Sequence, residues 1–139
     1  MTRIFLFIFT LLLSLNAAPW REMKSFTLKK DEVVKLVIKT TTAKKERVLF
    51  WRWTLYTDKA LVVHESFDQV VGQHILYLGL NDSFRKPLLP TLKSEQDVPY
   101  ALIVFKKFDD KNQTALFDFL LIDKEKRVLV DYLTKEEKK

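Results

Sequence analysis

The side chains best suited to chemistry lie within one short stretch of this chain. One grouping has the atoms that a metal ion, or a general acid and base, would need: His64, Glu65, Asp68 and His74. A hairpin can bring the two histidines together across paired strands, but their spacing matches no established ligand pattern, and Gly72 obscures the register. We interpret both histidines as ordinary surface residues and expect no metal site.

Other catalytic chemistries lack the residues that they require. The chain has no Cys, no Ser in a glycine-flanked elbow, and only Gly72 and Gly79 from which to build a phosphate-binding loop. Glycoside hydrolysis needs a pair of carboxylates, and Asp118 with Asp131 would be such a pair on neighbouring strands. Their positions in the alternation indicate solvent-facing polar residues instead. We expect a non-enzymatic protein with no cofactor.

Two tryptophans are separated by one residue in a predicted strand. Trp51 and Trp53 point to the same face, with Leu49 and Leu55 on the same stripe and Arg52 on the other side. Coplanar indoles can stack on sugar rings, which makes a glycan or small-ligand binder the alternative function, with the ligand on this face or at the loop of residues 79–99. The continuous apolar stripe favours a buried core face instead.

The last predicted strands have more apolar residues than one inner face needs. Phe117, Phe119 and Leu121 form a good inner face. The opposite face predicts a surface for a protein partner or a second copy of the chain, and its contact set is Leu116, Asp118, Leu120, Ile122, Leu129, Asp131 and Leu133. Internal cover by residues 79–99 is the alternative.

One local motif predicts a modification site. Asn112 is followed by Gln113 and Thr114, which is the acceptor pattern for N-glycosylation, and Asp110 precedes it by two residues. The motif falls in a predicted hairpin turn, where an acceptor side chain is accessible. We therefore predict Asn112 as a glycosylation site, and as the turn residue best suited to a left-handed conformation.

The elements that must position these residues are strands. Short apolar or alternating runs, separated by polar turns, predict an all-β, antiparallel two-sheet sandwich of about eight strands and immunoglobulin-like architecture, with a small β-barrel as the alternative. The predicted strands are Met23–Leu28, Val33–Thr40, Arg47–Thr57, Ala60–Ser66, Gln73–Leu78, Tyr100–Phe108, Thr114–Ile122 and Arg127–Leu133. The last three are expected to form a meander joined by two hairpins.

A long segment without clear periodicity separates the two halves. Residues 79–99 contain three prolines, and a loop of this length is uncommon inside a compact domain. Leu88, Leu89 and Leu92 would allow it to pack onto the body. We expect a cover for part of a sheet, while a functional loop and a short helix remain alternatives.

The N-terminus has the form of a secretory signal peptide. Arg3 precedes an apolar run from Ile4 to Leu15, and small residues follow, which predicts a signal over residues 1–17 and a single domain over residues 18–139. The run is too short to span a bilayer comfortably, so we expect cleavage and no stable membrane anchor, with an uncleaved anchor as the alternative.

Composition limits where the protein works and what it binds. An exported chain without Cys has no disulfides and fits a bacterial periplasm, or secretion, in which stability comes from the packed core. The net charge of +6 is spread over turns together with acids, so we expect no nucleic acid partner. The sequence predicts an exported, non-enzymatic protein-interaction or binding module.

Overall fold

The computed structural model describes residues 20–43, 45–90 and 98–133, which form strands and no helix. The prediction of an all-β chain is confirmed. The strands are β1 (Glu22–Lys29), β2 (Val34–Thr40), β3 (Glu46–Thr57), β4 (Ala60–Phe67), β5 (Val70–Tyr77), β6 (Ser83–Pro87), β7 (Tyr100–Asp109), β8 (Thr114–Ile122) and β9 (Val128–Tyr132). The predicted signal peptide and its cleavage site lie outside the described residues.

The strands form two antiparallel sheets that pack face to face. One sheet has the order β1-β8-β7-β6 and the other has the order β5-β4-β3-β2-β9. The predicted sandwich is therefore confirmed, and the sheets do not close into the alternative barrel. The likeness to immunoglobulin domains is limited to the two-layer architecture. Here the first strand, β1, joins the sheet of β6 to β8, and the last strand, β9, joins the sheet of β2 to β5.

The prediction that the last three strands form one meander is wrong. The strands β7 and β8 do form a hairpin, but β9 crosses to the other sheet and pairs with β2, where Val130 lies opposite Ile38. The crossing is held by the buried carboxylate of Asp123. It accepts hydrogen bonds from the Arg21 guanidinium at 2.9 Å and from the backbone N–H of Val128 at 3.0 Å.

A strand that the sequence did not predict lies in the segment between the halves. Residues 83–87 form β6, which pairs with β7 at the edge of the four-stranded sheet. Phe84 and Leu88 are buried in the core, as the expectation of a packed segment requires, although this part of the segment extends a sheet and does not cover one. Pro87 ends the strand, a position that a proline tolerates at a sheet edge. Residues 91–97 lie outside the described part.

The core fills the space between the two inner faces. Trp51 is fully buried between Phe119, whose ring stacks at 6.3 Å, and Phe26, whose ring meets it edge-on at 5.6 Å. Trp53 packs against Phe108 at 5.5 Å. These aromatic contacts join β3 of one sheet to β1, β7 and β8 of the other, so they hold the layers together.

Aspartates occupy several of the left-handed turn positions that glycine often fills in other proteins. Asp58 and Asp68 occupy the first left-handed positions of the two tight hairpins, with φ angles of 50° and 51°. In the β7–β8 turn the left-handed residue is Gln113, with a φ angle of 53°, so the prediction of Asn112 for that role is wrong.

Candidate functional site

The predicted grouping of acids and histidines is divided by the pleat of the sheet. His74 lies opposite Val63, whose side chain is buried, whereas His64 lies opposite Arg52 on the outer face. Neighbouring residues of a strand point to opposite sides, so the two histidines do not meet. Asp68 lies in a turn, with its carboxylate 3.6 Å from the Arg47 guanidinium.

Glu65 and His74 do come together, in a buried cluster that we call the edge cluster: Glu65, His74 and Lys86. The Glu65 carboxylate is almost fully buried, and its Oε1 lies 2.5 Å from Lys86 Nζ and 3.6 Å from His74 Nε2. The imidazole stacks on the ring of Phe84 at 4.0 Å. Because Glu65 belongs to β4 and Lys86 to β6, the ion pair connects the two sheets.

Gly72 makes room for this cluster. A Cβ atom built on Gly72 would collide with Oε1 of Glu65, since the carboxylate lies directly over the glycine of the neighbouring strand. The glycine is therefore explained by a close approach of a side chain, one of the uses that glycine has inside strands. From the sequence, Gly72 only made the strand register uncertain, and nothing there indicated a buried carboxylate beside it.

The edge cluster fits a structural ion pair better than a reaction centre. Lys86 neutralises the only carboxylate, and Oε2 of Glu65 has no hydrogen-bond partner among the described atoms. No group of three metal-ligating side chains occurs within the described ranges. The ion pair joins β4 of the five-stranded sheet to β6, the edge strand of the other sheet.

The indole side chains are not available to a ligand. Trp51 and Trp53 are both buried, and Trp53 Nε1 donates a hydrogen bond of 2.9 Å to the carbonyl of Leu28. A sugar cannot stack on rings that are enclosed by the opposite sheet. The expectation that these residues belong to the core is confirmed.

The predicted partner surface is divided between two opposite sides of the molecule. Leu116, Leu120 and Ile122 lie on the outer side of β8, in the four-stranded sheet, together with Asp118, which accepts a hydrogen bond of 2.6 Å from Ser25. The remaining members lie on or beside β9 in the other sheet: Leu129, Asp131 and Leu133. The seven residues therefore cannot form one contact surface, and Asp118 and Asp131 do not approach each other.

Among the described residues, most of the large apolar side chains that are exposed lie on the outer side of the five-stranded sheet, which we call the five-strand face. Its exposed apolar side chains include Phe50, Leu55, Val71, Ile75, Leu129 and Leu133. Val71 is 73% exposed and Phe50 is 40% exposed. Phe50 and Val71 lie in one cross-strand row with Ser66 between them, and Leu55 and Ile75 lie in another with Val62 between them. A single exposed apolar residue needs no explanation, but cross-strand groups of them on one face do.

A hollow of about 620 Å³ lies on the five-strand face. Val48 and Phe50 of β3 and Val71 of β5 give it an apolar floor. Lys35 and Arg52 add two positive charges at its sides, and His64 lines it from β4. This volume is within the range of small-molecule sites, but the hollow is an open depression on a sheet surface.

Tyr132 and Asp109, which lie outside the hollow, have shifted pKa values. Burial, together with the carboxylate of Glu22, raises the pKa of the Tyr132 phenol far above its usual range, while Lys24 Nζ lies 4.2 Å from the centre of that ring. In the β7–β8 turn, hydrogen bonds from Asn112 lower the pKa of Asp109. Asn112 is exposed, with its side-chain nitrogen 2.8 Å from Asp109 Oδ2, and its glycosylation stays a prediction.

Comparisons with known proteins add no relative to this description. No family model matches the chain, and neither a curated protein nor a solved structure does. Within the described part of the chain, no helix is long and apolar enough to cross a bilayer. The case for a function therefore depends on the surfaces of this molecule itself.

Proposed function

We propose that this chain is a non-enzymatic binding module that holds a partner protein on the five-strand face. The observation behind the proposal is the concentration of exposed apolar side chains there, around a hollow floored by Val48, Phe50 and Val71. Interfaces typically place an apolar centre inside a charged rim. Lys35, Arg52 and the ion pair between Lys39 and Asp131 supply such a rim.

The outer side of the other sheet, which we call the four-strand face, is the weaker candidate. The apolar side chains described on this face are Met23, Leu102, Val104, Leu116, Leu120 and Ile122. Among them only Met23 is mostly exposed, and the other five are half-buried. A partner would gain less newly buried apolar area on this face. The hydrophobic gain scales with that area, at about 25 cal/mol per Å².

Export belongs to the same proposal. The signal peptide predicted for residues 1–17 would deliver the domain to the periplasm or to the medium, where an exposed apolar face has a use only if a partner covers it. Determination of the N-terminal residue of the protein recovered from its native host tests this part. A start at Ala18 supports it, and a chain that retains Met1 contradicts it.

The binding surface is tested by affinity capture from the native envelope or medium. We expect Phe50→Glu to abolish capture of any specific partner, because the charge is placed in the centre of the apolar floor. The matched control is Leu120→Glu, which places the same charge on the four-strand face and is expected to leave capture unchanged. Both variants must keep the wild-type melting temperature within a few degrees.

The opposite pattern would overturn the proposal. If Phe50→Glu stays folded and retains every captured partner while Leu120→Glu loses them, the four-strand face is the binding surface.

A further inference from the structure

We infer that the occupant of the five-strand face is an extended peptide segment of the partner, with apolar side chains and at least one carboxylate within about four residues. This inference depends on the proposed function and adds the chemistry of the ligand. It is based on the shape of the depression, the sign of the charges around it, and the distance that it spans.

The depression is elongated. The central hollow of about 620 Å³ shares Val48 and Phe50 with an adjoining hollow of about 420 Å³ near the start of β3. Two adjoining hollows form a groove rather than a single pocket. A groove suits a chain that lies along it.

The charges at the centre of the groove are positive. Lys35 has no ion-pair partner among the described residues, and the Arg52 guanidinium has only the exposed carboxylate of Asp31, at 3.9 Å. Glu65 also lines the central hollow, but its carboxylate is buried and paired with Lys86, so it adds no unpaired negative charge there.

Exposed acidic side chains line only the adjoining hollow of the groove. Glu46 and Asp68 lie there together with Arg47. An occupant therefore meets positive charge beside the central hollow and mixed charge in the adjoining one. Charge complementarity of this kind selects an anionic group for the part of the ligand that fills the central hollow.

The same charges disfavour a second copy of this chain as the occupant. A twofold pairing of five-strand faces would place Lys35 and Arg52 close to their own equivalents, and like charges facing each other oppose association. The net charge of the whole chain, +6, adds to that repulsion. A partner segment with carboxylates has the opposite property.

The length of the groove sets the length of the segment. From Val71 on β5 to Lys35 on β2 the path crosses three strand spacings. At about 4.8 Å for each spacing the groove spans roughly 14 Å, which about four extended residues cover at 3.3 Å each. A compact anion would occupy only a part of it.

The inference is tested with defined probes. An end-blocked, fluorescently labelled peptide of six alternating leucine and aspartate residues is titrated with the mature protein, and fluorescence anisotropy is recorded. The comparison peptide has lysine in place of each aspartate, and sodium oleate is a separate competitor. We expect the acidic peptide to bind at least tenfold more tightly than the basic peptide, and its binding to weaken as salt is raised.

Two pairs of charge neutralisations locate the effect. Lys35→Gln with Arg52→Gln should remove the preference for the acidic peptide. Lys106→Gln with Lys111→Gln removes the same net charge outside the five-strand face and should leave the preference intact. Loss of the preference in both double variants, or in neither, would overturn the inference.

The remaining outcomes separate this inference from the proposed function. If oleate binds and the acidic peptide does not, or if the basic peptide binds equally well, the inference is wrong. If partner capture still requires Phe50 in that case, the proposed function stands without it. If partner capture is unchanged by Phe50→Glu, the proposed function itself is wrong, and the inference falls with it.

Discussion

The side chain of Glu65 limits which residues fit beside it on three strands. Its carboxylate is buried over Gly72, meets Lys86 of the opposite sheet, and approaches His74. An isolated buried charge is costly, so the pair with Lys86 is needed to keep this arrangement folded. The sequence grouped Glu65 with both histidines, and we interpreted the histidines as surface residues. The strand register shows that this is wrong for His74, which shares the inner side of the sheet with Glu65, and that His64 lies on the outer side.

Gly72→Ala tests this packing. We expect the change to lower the free energy of unfolding by about 1–3 kcal/mol, because the new methyl group must displace the Glu65 carboxylate. In a Glu65→Ala, Lys86→Met background the same substitution should cost less than about 0.5 kcal/mol, since the obstacle and its charge partner are both gone. Urea denaturation of the four proteins measures the difference. An equal cost in both backgrounds would show that Glu65 does not require the glycine.

The buried indoles give a second prediction at the level of single residues. Trp51→Ala and Trp53→Ala should each destabilise the domain by about 3–5 kcal/mol, because each leaves a cavity between the sheets. Trp20→Ala is the matched control, since Trp20 is 40% exposed and its loss should change stability by no more than about 0.5 kcal/mol. Thermal unfolding compares the three variants. A Trp51→Ala variant as stable as Trp20→Ala would contradict this description of the core.

The predicted and observed elements differ where strand pairing is not a local property. Alternation correctly located the first four strands and the β7–β8 hairpin, because one buried face imposes a period of two on the sequence. It cannot tell which sheet a strand joins, so the crossing of β9 at Asp123 was missed. The strand β6 was missed as well, since Arg85 and Lys86 interrupt its apolar pattern and Pro87 suggests a loop.

The β7–β8 hairpin predicts a dependence of stability on pH. Asp109 accepts hydrogen bonds from the side chain and backbone N–H groups of Asn112 and from the backbone of Lys111, and these lower its pKa from the ordinary value of 3.8. A lowered pKa means that the stabilisation is complete above that ordinary value and is lost as the pH falls through the folded-state pKa. Wild type should therefore melt higher than Asp109→Ala at pH 7.

Acid conditions provide the check on this assignment. The difference in melting temperature between wild type and Asp109→Ala should shrink as the pH is lowered from about 4 to about 2, because the protonated carboxyl no longer accepts these bonds with a full charge. Lys111→Ala keeps the backbone donor of residue 111 and should retain the wild-type pH profile. A difference that stays constant down to pH 2 would rule out the ionised Asp109 as its source.

The whole molecule presents two sheet faces of different character. The sequence correctly indicated more apolar surface than one core needs, yet it placed that surface on three consecutive strands. The exchange of β9 distributes the predicted contact set over both sides, and Phe50, Val71 and Ile75 become the exposed apolar residues of the five-strand face. Phe50 and Val71 were not predicted as contacts because an outward apolar residue joins a larger apolar surface only through its cross-strand neighbours. The sequence alone does not show which residues those neighbours are.

The central claim is that the five-strand face is where this module meets its partner. Photo-crosslinking in the native host tests it most directly, with a benzophenone-bearing aromatic residue introduced at position 50 in one variant and at position 120 in another. We predict a specific adduct of higher mass from position 50 and none from position 120. An adduct from position 120 alone would contradict the account.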